Sequence, residues 1–390
     1  MTEPRVPFNR AYTTGFEIGY MSEAIRETRL SGNGPFSERC SRWLEERTGC
    51  VRAFMTHSAT GALEMATLLG GIGPGDEVIL PSFTFTSTAN AVVLRGATPV
   101  FVDIRPDTLN VDERLVGDAI TSRTHAIMPV HYAGVPCAMD DILDTARAHD
   151  LVVIEDAAQA LGSRYRGRPA GGLGDLGAIS FHETKNVMCG EGGALLLNDG
   201  RLIGSAEIAH EKGTDRRRFF RGEVDKYTWI DLGSSFALSE LNAAFLWAQL
   251  EHADEIQQLR RRAWDLYHEA LGRLEDAERL RRPVIPPDCE HNAHLYYVLL
   301  PDDVDRAALL ATLAAHEVDA VFHYIPLHSS PAGARYGRTA GLLPVTDSVS
   351  RRLVRLPLWA GMDERQVERV VEVLSTALGL ARRPRRASLL

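Results

Sequence analysis

Residues 178–194 read AISFHETKNVMCGEGGA, and they place Lys185 between an apolar, strand-like run and a cluster of three glycines. This lysine is informative because the chain has only three lysines among its 43 basic residues, and the other two are Lys212 and Lys226. Lysine is the side chain that forms Schiff bases with carbonyl substrates and with pyridoxal phosphate (PLP). The alternative interpretation is an ordinary exposed loop lysine, and this stretch alone does not decide between the two.

The sequence on both sides of this stretch alternates between apolar strands and amphipathic helices. Strands are predicted at RAFMT, EVILP, TPVFVDI, within THAIMPVHYAG, at the start of LVVIEDAAQA, and at AISF and GALLLN. Helices such as ATGALEMATLLGG and MDDILDTARAHD separate them. This pattern is typical of a parallel sheet covered on both faces. It predicts an α/β fold with a large, mostly parallel sheet, whose ligand binds beyond the carboxyl ends of the strands.

From about residue 236 the pattern changes and predicts a smaller α+β domain. A long helix-compatible stretch runs to about residue 274. It is followed by a strand at LYYVLLP, a helix at DRAALLATLAAHEV, a strand at AVFHYIP and a closing helix at DERQVERVVEVLSTAL. We therefore divide the chain into a large domain, residues 1–240, and a connecting helix with a small C-terminal domain, residues 241–390. The tail ARRPRRASLL is interpreted as a solvated terminus.

Composition argues against several classes of protein. A hydrophobic content of 45% and a charged content of 24% are those of a soluble globular protein, and a net charge of −9 argues against a nucleic-acid-binding surface. No apolar run approaches the roughly 20 residues of a membrane span, and the N-terminus lacks the pattern of a secretion signal. The five cysteines form no CxxC pair, so we expect a cytoplasmic protein with reduced thiols and no metal site.

Two polar side chains follow a predicted strand end where a ligand would bind. Asp156 ends the strand LVVIED, and its carboxylate could pair with the pyridine nitrogen of PLP and keep the ring protonated. The alternative for Asp156 is a helix N-cap. Gln159 lies one helical turn further on and could reach the same ligand. Ser180 lies five residues before Lys185, at the end of another predicted strand.

HSATGAL, residues 57–63, is predicted as a junction between a strand and a helix. Free N–H groups at a helix N-terminus bind anions, so Ser58, Ala59 and Thr60 could cradle a phosphate, although capping alone would explain Ser58. The segment matches neither GxxxxGK[ST] nor GxGxxG, which disfavours a nucleotide triphosphatase or a Rossmann protein. After the next strand, Phe83 or Phe85 could stack on a planar cofactor, although core packing is the commoner fate of a phenylalanine.

With these segments the chain resembles the PLP-dependent sugar-nucleotide aminotransferases of the DegT/StrS type, which have the aspartate aminotransferase (type I) fold. The resemblance runs from about residue 5 to about residue 375. Its most specific motifs are IEDAAQALGS, GDLGAISFHETKN, GEGGALL and HYIPLH. The segment HEKGTDRRRFFRGEVDKYTWIDLGSSF, residues 210–236, is similar to the dTDP-4-oxo-6-deoxy-D-glucose 4-aminotransferase branch.

The resemblance implies a role for each matching residue. Lys185 would hold PLP as a Schiff base and move the proton between cofactor and substrate, and Asp156 would pair with the pyridinium nitrogen. Gln159 would approach the phenolic oxygen of PLP, and Phe85 matches the ring-stacking aromatic residue better than Phe83 does. The phosphate would be bound by Ser58, Ala59, Thr60 and Ser180.

The resemblance also implies a homodimer whose two active sites each take residues from both subunits. Many members carry G-x-N-x-R before the helix, with an asparagine that reaches the phosphate in the partner subunit. This chain reads GSSFA there, with Ser235 at the asparagine position and Ala237 at the arginine position. In members of the family, the segments that match those containing Lys212, Tyr324 and His328 face the nucleotide sugar. The resemblance therefore implies that these three residues bind the substrate.

The activity implied by the resemblance is a transamination in two halves. L-Glutamate would convert PLP to pyridoxamine phosphate (PMP), and the amine would pass to C4 of dTDP-4-keto-6-deoxy-D-glucose to give a dTDP-4-amino-4,6-dideoxyhexose of gluco or galacto configuration. The alternatives are a sugar-nucleotide 3-aminotransferase and a non-catalytic PLP-binding protein. A 3-dehydratase of this superfamily has histidine in place of Lys185. The excess of arginine over lysine suggests a GC-rich genome and so favours antibiotic deoxysugar biosynthesis over a cell-envelope pathway.

Overall fold

The structure, a computed structural model, describes residues 4–380, so the basic tail at residues 381–390 lies outside the described residues. Within that range the strands are β1 (Arg52–Thr56), β2 (Glu77–Pro81), β3 (Thr98–Val102), β4 (Thr124–Ile127), β5 (Val152–Asp156), β6 (Arg164–Tyr165), β7 (Arg168–Pro169), β8 (Leu176–Ser180), β9 (Gly193–Leu197), β10 (Cys289–Glu290), β11 (Tyr296–Leu299), β12 (Arg338–Thr339) and β13 (Leu353–Leu356).

The helices of the same range are α1 (Glu17–Arg26), α2 (Pro35–Thr48), α3 (Ala59–Leu69), α4 (Thr86–Val93), α5 (Glu113–Ala119), α6 (Met139–Ala148), α7 (Ile203–His210), α8 (Arg216–Phe220), α9 (Glu240–Glu251), α10 (Ala253–Ala270), α11 (Gly272–Asp276), α12 (Arg306–Ala315), α13 (Pro331–Tyr336), α14 (Pro344–Arg352) and α15 (Glu364–Ala377). None of the helices between residues 4 and 380 combines the length and the apolar character needed to cross a membrane.

The central element is an eight-stranded sheet with the strand order β1-β9-β8-β5-β4-β2-β3-β12. The neighbours from β8 through β12 run parallel, whereas β9 is antiparallel to both β1 and β8. All the strands predicted before residue 200 lie in this sheet. The predicted α/β fold with a mostly parallel sheet is therefore confirmed.

Helices cover both faces of the sheet, which explains why its strands are apolar throughout. In β2, Val78 and Leu80 pack into the core that contains α3 and α4, whereas Ile79 between them packs into the core that contains α5 and α6. Side chains alternate across a strand, so burial of both faces leaves no polar side. This arrangement brings the carboxyl ends of the parallel strands and the N-terminus of α3 to one edge of the sheet.

A second core forms around the antiparallel pair of β11 and β13, against which α10, α12 and α15 pack. Val6 packs into this core and forms a bridge with Val318, although it lies near the start of the chain. Conversely, β12 belongs to the C-terminal half of the sequence but pairs with β3 in the large sheet. Both cores thus take segments from distant parts of the chain, and the domain boundary near residue 240 stays a prediction.

Two predicted elements of the C-terminal half are wrong. The single long helix divides at His252, because α9 packs against α1 and α2 whereas α10 packs against α15. AVFHYIP is not a strand apart from one bridge between Val321 and Arg355. The rings of His323 and Tyr324 stack with their centroids 3.9 Å apart, so two consecutive side chains lie on one side of the backbone. A strand would place them on opposite sides.

A buried carboxylate attaches β12 to the large sheet. Arg338 on β12 donates hydrogen bonds of 2.9 and 2.7 Å to the two oxygens of Glu77 on β2, and Arg123 adds a third of 2.6 Å. The hydrogen bonds from Arg338 lower the pKa of Glu77 from 4.5 to about 2. Because the folded-state pKa is the lower one, this stabilisation is complete above pH 4.5 and is lost as the pH falls towards about 2.

We expect Glu77→Gln to lower the free energy of unfolding by about 2–3 kcal/mol at neutral pH, because it leaves two arginines without their carboxylate partner. In chemical denaturation, the difference in the free energy of unfolding between wild type and variant should decrease as the pH is lowered from about 5 to about 3. Glu46→Gln, which changes an exposed glutamate on α2, is the control. A difference that is absent, or that does not depend on pH, would contradict this account.

Candidate active site

One cavity of about 330 Å³, at the carboxyl ends of β5 and β8, brings most of the predicted site residues together. The predicted residues that line it are Ser58, Ala59, Thr60, Phe85, Asp156, Gln159, Ser180, Lys185 and Tyr324. A larger cavity of about 730 Å³ is formed by α2, β1 and residues 207–221, and none of these nine residues lines it. The chemistry predicted from the sequence therefore belongs to the smaller cavity.

Lys185 follows the end of β8 in a turn that is closed by a hydrogen bond from its N–H to the carbonyl oxygen of His182 (2.9 Å). Burial lowers the pKa of the Lys185 amine to about 8. The carboxylate of Asp156 opposes this decrease, and the guanidinium of Arg355 adds to it. A far larger fraction of the amine is therefore unprotonated near neutral pH than for an ordinary lysine, and the unprotonated form is the one that attacks carbonyl groups.

Asp156 presents its carboxylate to the cavity from the last position of β5. One oxygen accepts a hydrogen bond from the hydroxyl of Thr88 (2.7 Å), and the other accepts one from the N–H of Ala158 (3.2 Å). Both donors are uncharged, so the carboxylate retains its capacity to pair with a cation. The alternative role as a helix N-cap is limited to the contact with Ala158, because residues 157–160 form no helix.

The turn before α3 has the geometry of an anion site. The hydroxyl of Ser58 accepts a hydrogen bond from the N–H of Gly61 (3.0 Å), whereas the N–H groups of Ala59 and Thr60 open the helix and have no partner within it. A Cβ atom on Gly193 would lie 2.4 Å from the nitrogen of Ala59. Only glycine therefore lets β9 approach this turn, and the free N–H groups are held at the cavity wall.

Gln159 connects the large sheet to Tyr324 in the C-terminal half. Its Oε1 accepts a hydrogen bond from the N–H of Ala133 (2.8 Å), and its Nε2 donates to the phenolic oxygen of Tyr324 (3.0 Å). Burial raises the pKa of Tyr324 to about 12, so the phenol keeps its hydrogen at neutral pH. Because the oxygen already accepts from Gln159, that hydrogen is available to a ligand in the cavity.

The two phenylalanines that were candidates for ring stacking have different environments. Phe83 is fully buried, and its ring makes edge contacts with Tyr132 and Tyr324. Phe85 is 60% exposed and lines the cavity at the N-terminus of α4. Of the two, only Phe85 presents a free ring face to a planar ligand.

Three predicted residues lie outside the cavity of their own chain. Lys212 and Ser235 are exposed on the segment of residues 211–235. The Nδ1 atom of His328 lies 2.7 Å from the hydroxyl of Ser82 rather than at the cavity wall. Their predicted contacts with the substrate or the phosphate therefore depend on a second copy of the chain or on a change of conformation.

Further residues that line the cavity were missed, and they include Phe8, His294, His323 and Arg355. The guanidinium of Arg355 donates to Nε2 of His323 and lies over the ring of Phe8, 4.8 Å from its centroid. Its Nε is buried and has no hydrogen-bond partner within residues 4–380. The sequence carries one signal for it, since an arginine interrupts the apolar run LVRLPLWA, and buried arginines are uncommon unless they are paired.

Comparisons with known proteins give concordant matches. The sequence profile of the DegT/DnrJ/EryC1/StrS aminotransferase family matches residues 12–375. The chain is 35% identical over 379 residues to the GDP-perosamine synthase of Caulobacter vibrioides, with 96% of this chain and 99% of that protein covered. DesV of S. venezuelae, solved in complex with a ketimine intermediate, has a TM-score of 0.87 and 33% identity, with 97% and 100% of the two chains covered.

Spr1654 of Streptococcus pneumoniae is as similar to this chain in structure as DesV is, but its sequence identity is lower. Its solved structures include a PLP form and a PMP form, and each has a TM-score of 0.88 and 26% identity to this chain. The match covers 96% of this chain and 98% of that chain. The similarity to each of these three proteins extends over almost the whole length of both chains.

Proposed function

Because the chain belongs to the DegT/DnrJ/EryC1/StrS aminotransferase family and is a PLP-dependent transaminase, we propose that it moves the amino group of L-glutamate to C4 of dTDP-4-keto-6-deoxy-D-glucose. The observation that carries the transfer chemistry is the amine of Lys185, which shares one cavity with the carboxylate of Asp156. The choice of nucleotide and of C4 rests on the similarity of residues 210–236 to the dTDP-4-oxo-6-deoxy-D-glucose 4-aminotransferase branch.

The residues of the cavity fit PLP. The free N–H groups of Ala59 and Thr60 suit its phosphate, Asp156 suits a protonated pyridine nitrogen, and the exposed ring of Phe85 suits stacking. When bound, PLP supplies the electron sink that amino transfer needs. Lys185 would hold it covalently, and its amine, once free, would take the proton from the substrate carbon and pass it to the cofactor.

Arg355 is suited to bind a carboxylate of the amino donor. Its buried guanidinium donates to the neutral ring of His323, and Nε has no partner within the described chain. Burial without a neighbouring anion lowers the pKa of Arg355, because it disfavours the charged guanidinium. A carboxylate bound beside it would stabilise that charge and raise the pKa again. L-Glutamate brings two carboxylates, and a bidentate pair with one of them would orient its amino group.

We expect Arg355→Met to raise the KM for L-glutamate by about a hundredfold and to leave the KM for the sugar nearly unchanged, because only the donor brings a carboxylate. The two half-reactions can be followed separately by single-turnover absorbance. Arg352→Met is the matched control, because Arg352 donates to the carbonyl oxygen of Leu300 and does not line the cavity. If the variant slowed the two half-reactions equally, Arg355 would not be a specific binding residue for the amino donor.

The nucleotide is the finer part of the proposal. The name of the Caulobacter relative contains a GDP sugar, so a GDP-linked 4-keto-6-deoxy sugar is the second candidate acceptor. The test offers the PMP-loaded enzyme each keto sugar in parallel, and NMR spectroscopy then locates the amino group and its configuration in the product. Faster consumption of the GDP sugar, or an amino group at C3, would refute the assignment of the nucleotide or of the carbon atom. Neither result would affect the assignment of the enzyme as a transaminase.

We also propose that the enzyme works as a homodimer. Lys212 and Ser235 lie on an exposed segment that also carries six large exposed apolar side chains, those of Phe219, Phe220, Tyr227, Trp229, Ile230 and Leu232. A second copy that covered this segment would bring Ser235 towards the phosphate site of its partner, where a serine reaches less far than an asparagine. Lys212, Tyr324 and His328 would then face the nucleotide sugar. Sedimentation velocity of the purified enzyme tests this, and a monomer that is fully active would contradict it.

A further inference from the structure

Arg355 and His323 form a contact at the cavity wall in which only one partner carries a charge. The Nη1 atom of Arg355 donates a hydrogen bond to Nε2 of His323 at 2.5 Å. Because a guanidinium can only donate, Nε2 is the acceptor, and the ring carries its hydrogen on Nδ1, which lies 3.4 Å from the phenolic oxygen of Tyr132. Burial and the nearby positive charge of Arg355 lower the pKa of His323 to about 2, so the ring is neutral at neutral pH.

The other groups around the guanidinium do not compensate its charge either. The ring of Phe8 lies against it, with 4.8 Å between the ring centroid and Cζ. Two carboxylates line the cavity, and neither forms an ion pair with Arg355. Asp156 is bound by uncharged donors, and the carboxylate of Glu191 lies 3.7 Å from Nε2 of His182. Within residues 4–380 the positive charge of Arg355 therefore has no anionic partner.

The backbone holds the two side chains against each other. Val321 and Arg355 form an antiparallel bridge with reciprocal backbone hydrogen bonds of 3.2 and 2.7 Å, and His323 follows this fixed point by two residues. The ring of His323 also stacks on that of Tyr324, with the centroids 3.9 Å apart. The imidazole is thus held in one orientation towards Nη1 before any ligand binds.

The contact with His323 leaves one edge of the guanidinium open. Nη1 is the nitrogen that donates to the ring, whereas Nε and Nη2, which lie side by side on another edge, donate to no group of the described chain. Two parallel N–H groups of this kind match the two oxygens of a carboxylate. A carboxylate in place of the imidazole would neutralise Arg355 before the amino donor arrived, whereas a neutral ring orients the guanidinium and preserves its charge.

We propose that His323 is the positioning residue of Arg355, whose neutral ring fixes the guanidinium through Nη1 and keeps its charge and its open edge for a carboxylate of the amino donor. The inference rests on the proposed role of Arg355 in binding the donor. His323 acts through Arg355 rather than on the substrate itself. It follows that a negative charge at position 323 prevents the binding of a dicarboxylate, even where the hydrogen bond to Arg355 is kept.

The test measures the binding of a carboxylate rather than turnover. The probe is glutarate, the five-carbon dicarboxylate that lacks the amino group of glutamate, and its Kd is measured by calorimetry on the full-length enzyme with PLP bound. His323→Gln places an amide oxygen near the position of Nε2 and should change this Kd by less than about threefold. His323→Glu has the same shape as His323→Gln but adds a negative charge, which should pair with Arg355 and raise the Kd by about thirtyfold or more.

Two further variants separate the hydrogen bond from the ring and the charge from its location. His323→Phe keeps a ring that can stack on Tyr324 but removes the acceptor, and it should raise the Kd for glutarate by about tenfold because the guanidinium loses its fixed orientation. His316→Glu adds the same charge at an exposed histidine after α12, outside the cavity, and it should bind glutarate as the wild type does.

The outcomes distinguish this inference from the proposal on which it rests. Equal binding of glutarate by His323→Gln and His323→Glu, or wild-type binding by His323→Phe, would overturn the inference, and the role of Arg355 would stand if Arg355→Met still weakened binding. A KM for the keto sugar that rose as much as the Kd for glutarate would show a merely structural role and would also overturn it. If Arg355→Met bound glutarate as the wild type does, or if the wild type bound none, both would fail.

Discussion

Lys185→Ala abolishes amino transfer, with an expected loss of more than about 10⁴-fold in turnover, because it removes both the nucleophile and the group that moves the proton. The amine lies in the cavity with a pKa lowered to about 8, so no other described group combines its reactivity with its location. The measurement is the single-turnover rate with L-glutamate. Reduction with borohydride should also fail to fix PLP to the variant.

The control for this result is Lys226→Ala, which removes an exposed lysine that does not line the cavity. It should keep wild-type rates and covalent capture of PLP. If Lys185→Ala retained near-normal turnover, the chemistry would have to be assigned to another residue. If instead it lost turnover but was still labelled by PLP after reduction at one site, a second amine would be the point of attachment.

Asp156→Asn should lower turnover by about 10²–10³-fold while the fold is retained, because it replaces the anion that holds the cofactor ring protonated by a neutral amide of the same shape. The hydrogen bond from the N–H of Ala158 can persist, and the hydroxyl of Thr88 can rotate to accept rather than donate. The single-turnover rate with L-glutamate and the thermal unfolding midpoint are the two measurements.

Thr88→Val separates the charge of Asp156 from its orientation. The variant keeps the carboxylate and removes one hydrogen bond of 2.7 Å, so a loss of only about tenfold is expected. If Asp156→Asn kept near-normal kinetics, the pairing with the pyridine nitrogen would be rejected. If both variants lost activity and stability to the same extent, Asp156 would be a structural residue of the cavity wall.

The part of the site built by the large sheet could be predicted because topology determines it. Once strands are predicted to be parallel, their carboxyl ends must meet at one edge, and Asp156, Ser180 and Lys185 follow such ends. The turn at Ser58 was predictable for the same reason, since a helix N-terminus there has free N–H groups. The structure buries Phe83 and leaves Phe85 at the cavity, so Phe85 stays the candidate for stacking.

The part of the site built by the C-terminal half could not be predicted in the same way. His294 and Arg355 reach the cavity because the second core packs against the large sheet, and neither residue follows a recognisable strand end of that sheet. The predicted strand at AVFHYIP is wrong because the rings of His323 and Tyr324 stack on each other and line the cavity instead of alternating across a sheet. Lys212 and Ser235 remain proposals because their contacts depend on a second copy of the chain.

The most direct test of the account is an absorbance spectrum of the purified enzyme, recorded before and after the addition of L-glutamate and again after the addition of dTDP-4-keto-6-deoxy-D-glucose. We predict that the band of lysine-bound PLP disappears with glutamate, is replaced by that of PMP, and returns with the keto sugar. A band of bound PLP that responds to no amino donor, or the absence of any such band after incubation with PLP, would contradict the role of Lys185 on which the account depends.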